Sequence, residues 1–104
     1  MQECEVKMEA DTLVLGITCE IDHHTAKRLR ETIDPEILGR GAGRIVLDFS
    51  RVSFMDSSGI GLIIGRAAKA ETVCASVEVR GLSPRLEKIV RMAGIERIPN
   101  VNIN

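Results

Sequence analysis

The sequence predicts an α/β fold in which a mixed, mostly parallel sheet is covered by packed helices. Two observations support this prediction. Short apolar or alternating runs, typical of strands, recur along the 104 residues. From the second run onwards, consecutive strand-like runs are separated by segments whose apolar residues have helical spacing. Strands separated by helices pair most easily as parallel neighbours through right-handed crossovers. The predicted element order is therefore ββαβαβαβ, in a single domain over residues 1–104.

The first two strands are predicted to form a hairpin. CEVKMEA (4–10) and TLVLGITC (12–19) both alternate between apolar and polar residues. Asp11 stands between the two runs, at the position of a tight turn.

The first helix is predicted to begin after Asp22, whose carboxylate can cap it. Its apolar residues recur at i, i+3 and i+7, namely Ala26, Leu29 and Ile33. We expect Pro35 to end or kink this helix, because proline lacks a backbone N–H. A loop is expected at the glycines that follow, Gly39, Gly41 and Gly43.

The middle of the chain predicts a strand, a helix and another strand. RIVLDF (44–49) is a short apolar run of the kind buried in a sheet centre. A second helix is expected over residues 57–70, followed by VCASVEV (73–79), which alternates as a strand does.

The third helix is predicted to begin at Ser83 and Pro84, because the fixed φ of proline suits the first helical position. Its expected buried residues are Leu86, Ile89, Val90 and Ala93. Gly94 fits the end of this helix, and IERI (95–98) is predicted to be the last strand.

Composition excludes several classes of function. The formal net charge is -1, so no electrostatic attraction to nucleic acid or to an anionic membrane is expected. Phe49 and Phe54 are the two aromatic residues, too few for a base-stacking platform. The N-terminus is too polar for a signal peptide, and no apolar run reaches membrane-spanning length.

Three cysteines are present, an odd number, and no CxxC occurs: Cys4, Cys19 and Cys74. Each lies in an apolar, strand-like run, where a free cysteine usually behaves as a small hydrophobic residue. We therefore expect three reduced, structural cysteines in a cytoplasmic protein.

The segment FMDSSGIG (54–61) is the main candidate for a functional site. It follows a predicted parallel strand, and loops at the carboxyl ends of such strands share one edge of the sheet. We expect three loops at that edge, over residues 20–24, 50–57 and 80–83. Asp and Ser before a helix most often act only as caps. An exposed serine at a helix N-terminus is also a favourable phosphorylation site, since the helix dipole tolerates the added charge.

Glycines within the second helix call for an explanation, because each costs about 1 kcal/mol relative to alanine. A helical wheel directs Ile60, Ile63, Ile64, Ala67 and Ala68 towards the sheet. The opposite, exposed side then consists of Ser58, Gly61, Leu62, Gly65 and Lys69. Two interpretations stay open. The glycines relieve crowding against a neighbouring loop, or they form a flat docking strip for a partner.

Enzymatic interpretations have weaker support in the sequence. Neither serine lies in a G-x-S-x-G nucleophile motif, and no Walker-type phosphate loop occurs. His23 and His24 are adjacent, so on a helix they point about 100° apart and make a poor metal pair. Both are expected to be exposed. A small serine hydrolase that pairs Ser57 or Ser58 with His24 remains the alternative from another class.

Two segments resemble a known family. EIDHHTA (20–26) and VSFMDSSGIGLIIGR (52–66), in this order and separation, are similar to the anti-sigma factor antagonists of the STAS domain family. The histidine-containing segment resembles the sporulation branch more than the general-stress branch. SPRLEKIVRMAGI (83–95) extends the resemblance over nearly the whole chain. Members of the family usually continue into a final helix after the last strand, whereas this sequence ends at Asn104, so either the helix lies beyond this sequence or it is dispensable here.

The resemblance implies a regulatory function without enzymatic activity, cofactor or metal. The unmodified antagonist binds an anti-sigma factor that is also an ATP-dependent serine kinase, and thereby releases a sigma factor. The kinase inactivates the antagonist by phosphorylating the first serine after the aspartate, here Ser57, and a serine phosphatase reverses the modification. A free antagonist is expected to be a monomer, and a general-stress system is the alternative assignment.

By the same resemblance, Asp22 and the second helix contribute to the kinase-binding surface. The expected partner-binding residues are Asp22, His23, His24, Asp56, Ser58, Gly59, Gly61, Leu62 and Gly65.

Overall fold

The computed structural model describes residues 3–104, and its element order is the predicted one. The strands are β1 (Cys4–Glu9), β2 (Thr12–Ile17), β3 (Arg44–Asp48), β4 (Ser76–Arg80) and β5 (Val101–Ile103). The helices are α1 (His23–Arg40), α2 (Ser57–Glu71) and α3 (Pro84–Met92), and a 3₁₀ turn covers Ile95–Arg97.

The strands form one five-stranded sheet in the order β1-β2-β3-β4-β5. β1 and β2 pair antiparallel as the predicted hairpin. β2, β3, β4 and β5 are parallel neighbours, so the prediction of a mixed, mostly parallel sheet is confirmed. The carboxyl ends of β2, β3 and β4 therefore lie at one edge of the sheet, where the candidate segment follows β3.

The two faces of the sheet differ in chemistry. Because side chains alternate along a strand, the register places one apolar row across the sheet, for example Leu15, Leu47 and Val79. This row joins buried residues of all three helices in one core cluster. The opposite face has charged side chains, and an ion pair links Arg44 to Glu78 across neighbouring strands. The helices therefore cover one face of the sheet and leave the other face charged.

Helix α1 begins with the predicted cap. The Asp22 carboxylate accepts the backbone N–H of Thr25 and of His24, each at 2.9 Å. The Asp22 N–H in turn donates to Thr25 Oγ1 at 2.8 Å, which completes a capping box.

Of the two effects expected of Pro35, an end or a kink, the end is wrong, since α1 continues to Arg40 and is capped by Gly41. Pro35 is exposed, so water can bond the carbonyl that loses its partner. Ile37 is fully buried and holds the following turn against the core. Gly39 accordingly lies inside the helix, and Gly41 caps it with a φ of 69°.

Two predicted strand boundaries also need correction. Residues 72–74 form a turn, and β4 begins at Ser76. IERI is not a strand, because Gly94 at φ 79° reverses the chain and Ile95–Arg97 forms a 3₁₀ turn. The last strand is Val101–Ile103, which pairs with β4.

The third helix begins as predicted, and the Ser83 hydroxyl caps it by accepting the N–H of Leu86 at 3.2 Å. Leu86 and Val90 are buried, whereas Ile89 and Ala93 are exposed, contrary to expectation. The helix is short and amphipathic, and only its i, i+4 row reaches the core.

The three cysteines are free and lie in different environments. Cys4 is buried in β1, and burial raises the pKa of its thiol to about 11. Burial also raises the pKa of the half-buried Cys19. The prediction of a strand setting for Cys74 is wrong, because this residue is exposed in the turn before β4 with a φ of 59°.

Candidate functional site

The loops before α1 and α2 are joined by backbone hydrogen bonds. Ile21 and Met55 form an isolated parallel bridge. The Ile21 N–H donates to the Phe54 carbonyl at 3.0 Å, and the Asp56 N–H donates to the Ile21 carbonyl at 3.1 Å. The N-terminal caps of the two helices, Asp22 and Asp56, are therefore held side by side.

Asp56, and not either serine, caps α2. Its carboxylate accepts the backbone N–H of Ser58 at 2.7 Å, and its carbonyl accepts that of Gly59 at 2.9 Å. Ser57 is the first residue of the helix and is exposed. The N-terminus of a helix favours negative charge, so a phosphate at this position is compatible with the helix.

Asp22 contributes a stable negative charge to the site. The N–H of Thr25 lowers the pKa of the Asp22 carboxyl, and the Thr25 hydroxyl and the His24 N–H act in the same direction. The carboxylate is consequently ionised at neutral pH. A phosphate on Ser57 would add its charge next to Asp56 and near Asp22.

The glycines of α2 have different roles. Gly59 is buried, and a Cβ there would lie 2.5 Å from Met55 Sδ and 3.0 Å from Met55 Cβ. The crowding interpretation therefore applies to Gly59. A Cβ at Gly61 or Gly65 would meet nothing within 4 Å. Packing within the described chain does not require glycine at either position, which favours the docking interpretation there.

Gly61 and Gly65 line a groove of about 320 Å³ between α1 and α2. We call it the α1–α2 groove. Its lining residues are His23, Ala26, Lys27, Arg30, Ser58, Gly61, Leu62, Gly65 and Arg66. The groove thus begins beside the phosphorylation candidate and follows the seam between the two helices.

The predicted faces of α2 are wrong at three positions. Leu62, expected to be exposed, is 3 % exposed, and Ile64, expected to face the sheet, is 45 % exposed. Ala68 is exposed as well, while Ile63 and Ala67 are buried as predicted. The reason is that α2 packs against α1 as well as against the sheet, so its buried surface extends towards α1.

Sequence reasoning missed Arg66, which is 4 % exposed between α1 and α2. Its Nε lies 2.7 Å from Asp34 Oδ1, and its Nη2 donates to Asp34 Oδ2 at 3.3 Å. Burial lowers the pKa of the Arg66 guanidinium, which the Asp34 charge partly offsets. The available signal was the i+4 spacing of Arg66 from Leu62, which puts both on the side of α2 that faces α1.

His23 and His24 are both exposed, as expected. Their rings meet edge to face with centroids 5.6 Å apart. Within residues 3–104, no group of three or more His, Cys, Asp or Glu side chains is arranged to hold a metal ion.

The family model described as the STAS domain matches residues 3–103. The chain belongs to the STAS domain family. A curated relative of this STAS domain is the anti-sigma F factor antagonist of Lysinibacillus sphaericus, 32% identical over 85 residues that cover 82% of this chain and 73% of the relative. The anti-sigma-B factor antagonist of Bacillus subtilis is 28% identical over 98 residues, covering 94% and 88% of the two chains.

The STAS domain also resembles solved structures of the anti-sigma factor antagonist SpoIIAA. The unphosphorylated form of SpoIIAA has a TM-score of 0.78 at 32% identity, and the match covers 97% of this chain and 87% of SpoIIAA. The phosphorylated form has a TM-score of 0.72 at 32% identity, with 97% and 90% covered. The predicted membership in the antagonist branch of the family is therefore confirmed. No helix in the described part of this STAS domain, residues 3–104, has the length and apolarity needed to cross a membrane.

Proposed function

We propose that this STAS domain is an anti-sigma factor antagonist controlled by phosphorylation of Ser57. The unphosphorylated form binds an anti-sigma factor that is also a serine kinase, and so releases a sporulation sigma factor. Phosphorylation ends this binding, and a phosphatase restores it. The domain is a monomer when free, acts in the cytoplasm and has no catalytic residues of its own.

The principal support is the position of Ser57. It is exposed at the first position of α2, while Asp56 alone provides the cap through the Ser58 N–H. The hydroxyl of Ser57 is therefore not needed to begin the helix. A relative at 32% identity, SpoIIAA, has been solved both without and with phosphate, which supports the same modification here.

The proposed binding surface surrounds Ser57. It consists of the expected partner-binding residues on the two joined loops and the open glycine positions of α2, together with two exposed apolar side chains that prediction did not include. Those side chains are Phe54 and Ile64, each 45 % exposed. Apolar side chains on an otherwise polar surface are typical anchors of protein interfaces.

Phosphorylation changes the charge of this surface and leaves the fold intact. A phosphate adds about -1.5 to -2 charges at pH 7. Asp56 and Asp22 already contribute negative charge beside Ser57. The helix dipole favours the phosphate, so α2 is expected to stay folded while the docking of a closely packed partner is blocked.

One experiment tests this function directly. The domain is incubated with the cognate anti-sigma factor kinase, with and without ATP, and complex formation and phosphopeptides are measured. We expect a complex without ATP, its loss after phosphorylation, and phosphate on Ser57 alone. Ser58→Ala is the matched control and should be phosphorylated like the unmodified protein, whereas Ser57→Ala should not. Phosphate on Ser58, or on the Ser57→Ala variant, would refute the assignment.

A general-stress assembly is the second candidate, because anti-sigma-B factor antagonists are also among the relatives. The two candidates share the mechanism and differ in the partner. Parallel binding measurements with the anti-sigma F and the anti-sigma-B type of kinase separate them: the tighter complex identifies the system.

A further inference from the structure

The α1–α2 groove is positively charged in a chain whose formal net charge is -1. Its described lining includes three cationic residues, Lys27, Arg30 and Arg66, and no carboxylate. A shallower extension of the groove shares Arg30 and Arg66 and adds Lys69 and one carboxylate, Asp34. Asp34 pairs with Arg66 and offsets its charge, so the positive charge of the groove comes from the other bases, chiefly Lys27 and Arg30.

The bases on the α1 side of the groove are accessible. Lys27 and Arg30 are both exposed, and they are three residues apart on the helix, so they lie on one side of it. The ion pairs described for residues 3–104 do not include either of them. Their charges are therefore available to a ligand.

On its α2 side, the groove has glycine, and so no side chain, at two positions. Gly61 and Gly65 line it, and space is open where each Cβ would be. Leu62 forms part of the lining between them and is buried. A backbone can therefore approach α2 closely while its side chains reach the bases of α1.

We propose that the α1–α2 groove binds an acidic segment of the protein partner. The lining extends from Ser58 to Gly65 along α2, a span of about 10 Å at 1.5 Å per helical residue. The accessible bases, Lys27 and Arg30, are about 4.5 Å apart along α1 at 1.5 Å per residue, so carboxylates about one helical turn apart on the partner would match them. The inference rests on the proposed function, because it specifies the chemistry by which the anti-sigma factor is recognised.

The position of the groove connects this contact to phosphorylation. Ser58 lines the mouth of the groove, and Ser57 directly precedes it in the chain. A phosphate on Ser57 would place negative charge where an acidic segment enters. Like charges at such a point repel, so the modification would oppose the attraction that Lys27 and Arg30 provide.

Charge reversal tests the proposal. The double variant Lys27→Glu/Arg30→Glu reverses the groove, and Arg85→Glu/Lys88→Glu on α3 is its matched control. Both pairs are exposed, spaced i and i+3, and changed by the same charge. Calorimetric affinity for the cognate kinase should fall about tenfold or more for the groove variant and less than about twofold for the control. The affinity of the groove variant should also depend less on salt.

The outcomes distinguish the inference from the function on which it rests. If the kinase binds neither the unmodified domain nor any variant, the proposed function fails. If it binds the unmodified domain and the groove variant equally, or if both variants lose affinity equally, the acidic-segment proposal is wrong while the function stands.

A second measurement uses the unmodified domain and therefore does not depend on the folding of a variant. Two helical peptides are titrated, one with Glu at i and i+4 and the other with Gln at the same positions, and the amide signals of Gly61 and Gly65 are followed by NMR. The Glu peptide should shift these signals, and the Gln peptide should not. Equal responses to both peptides, or a response to inorganic phosphate that exceeds that to the Glu peptide, would overturn the proposal.

Discussion

Asp56 and Ser57 are adjacent, and the structure assigns them separate tasks. The Asp56 carboxylate is engaged by the Ser58 N–H, so it begins α2 whatever happens to Ser57. From the sequence, either residue fits a cap. Because the cap does not use the Ser57 hydroxyl, modification of Ser57 can alter binding without first disrupting the helix.

A negative charge at position 57 should therefore weaken the complex, and a larger charge should weaken it more. Ser57→Asp should lower kinase affinity less than phosphorylation does, because one carboxylate has a single charge whereas phosphate has about -1.5 to -2 at pH 7. Ser57→Asn is the uncharged control of similar size. Calorimetry measures the kinase affinity of both variants. An equal loss of affinity for Ser57→Asn and Ser57→Asp would show that the size of the side chain, and not its charge, weakens the complex.

The cysteines should react with a thiol reagent in the order of their exposure. Cys74 is exposed and should react first, the half-buried Cys19 more slowly. Cys4 should react only on unfolding, since it is buried and its thiol pKa is raised to about 11. Mass-resolved labelling in native buffer and in urea measures the order. A disulfide in rapidly handled protein, or early labelling of Cys4, would contradict the expectation of reduced, structural thiols.

Within α2, two glycines only two residues apart, Gly59 and Gly61, should respond oppositely to the same substitution. Gly59→Ala should destabilise the domain by about 1 to 3 kcal/mol, because the new methyl group would overlap the buried Met55 side chain. Gly61→Ala should be neutral or stabilising by up to about 1 kcal/mol, since its Cβ would enter open space. Urea unfolding measures the stability of both variants. A loss of stability in Gly61→Ala would mean that packing requires glycine at this position as well.

Substitutions at Leu62 and Gly65 should distinguish effects on stability from effects on binding. Leu62→Ala should cost about 2 to 4 kcal/mol of unfolding free energy, because Leu62 is 3 % exposed against the core. Gly65→Gln should leave stability unchanged or raise it by up to about 1 kcal/mol, as glycine is a poor helix former. Its side chain should nevertheless lower kinase affinity tenfold or more, about 1.4 kcal/mol, by filling the groove.

Urea unfolding and calorimetric binding on each of these two variants provide the comparison. A Gly65→Gln variant that binds like the unmodified protein would show that the groove is not part of the interface. A Leu62→Ala variant with unchanged stability would contradict the observed packing of α2 on α1.

Local signals in the sequence predicted where the helices begin. Features that depend on contacts between elements were not predictable in the same way. Asp22 and Ser83 were predictable as caps because their carboxylate and hydroxyl satisfy N–H groups within three residues. The exposure of Ile64 was not predictable from a wheel that assumed one packing partner, since α1 is a second one. Pro35 is compatible with a continuous helix only because it faces water, which periodicity does not show.

At the C-terminal end, short elements limited prediction. A three-residue strand such as Val101–Ile103 is too short to show alternation. Its strand conformation depends on parallel pairing with β4. In the candidate site, the motif located Ser57 and Asp56, whereas the buried Arg66–Asp34 pair depends on the contact between two helices and had no local signal of comparable strength.

For the whole molecule, stability should fall in acid through a few carboxylates. Bonds from Arg28 and Arg51 lower the pKa values of Glu3 and Glu5, and the Thr25 N–H lowers that of Asp22. These groups contribute stability above their ordinary values of about 4, and that contribution is lost as pH falls through the lowered values. Urea midpoints from about pH 6 to about pH 3 should therefore decline.

The control for this acid dependence is Glu3→Gln, which should show a smaller decline over the same range because it lacks one of the three carboxylates. High salt should reduce the effect as well, since these groups are largely exposed. A pH-independent midpoint would indicate that the three carboxylates are equally bound to protons in the folded and unfolded chains.

The order of the strands in the sheet is also their order in the chain. Each strand after the first joins the free edge of the strand that was synthesised before it, and no strand has to enter between two that already pair. A nascent chain leaving the ribosome can therefore assemble the sheet in the direction of translation, one edge at a time. The α1–α2 seam is complete once α2 has emerged, before β4, α3 and β5 have been made.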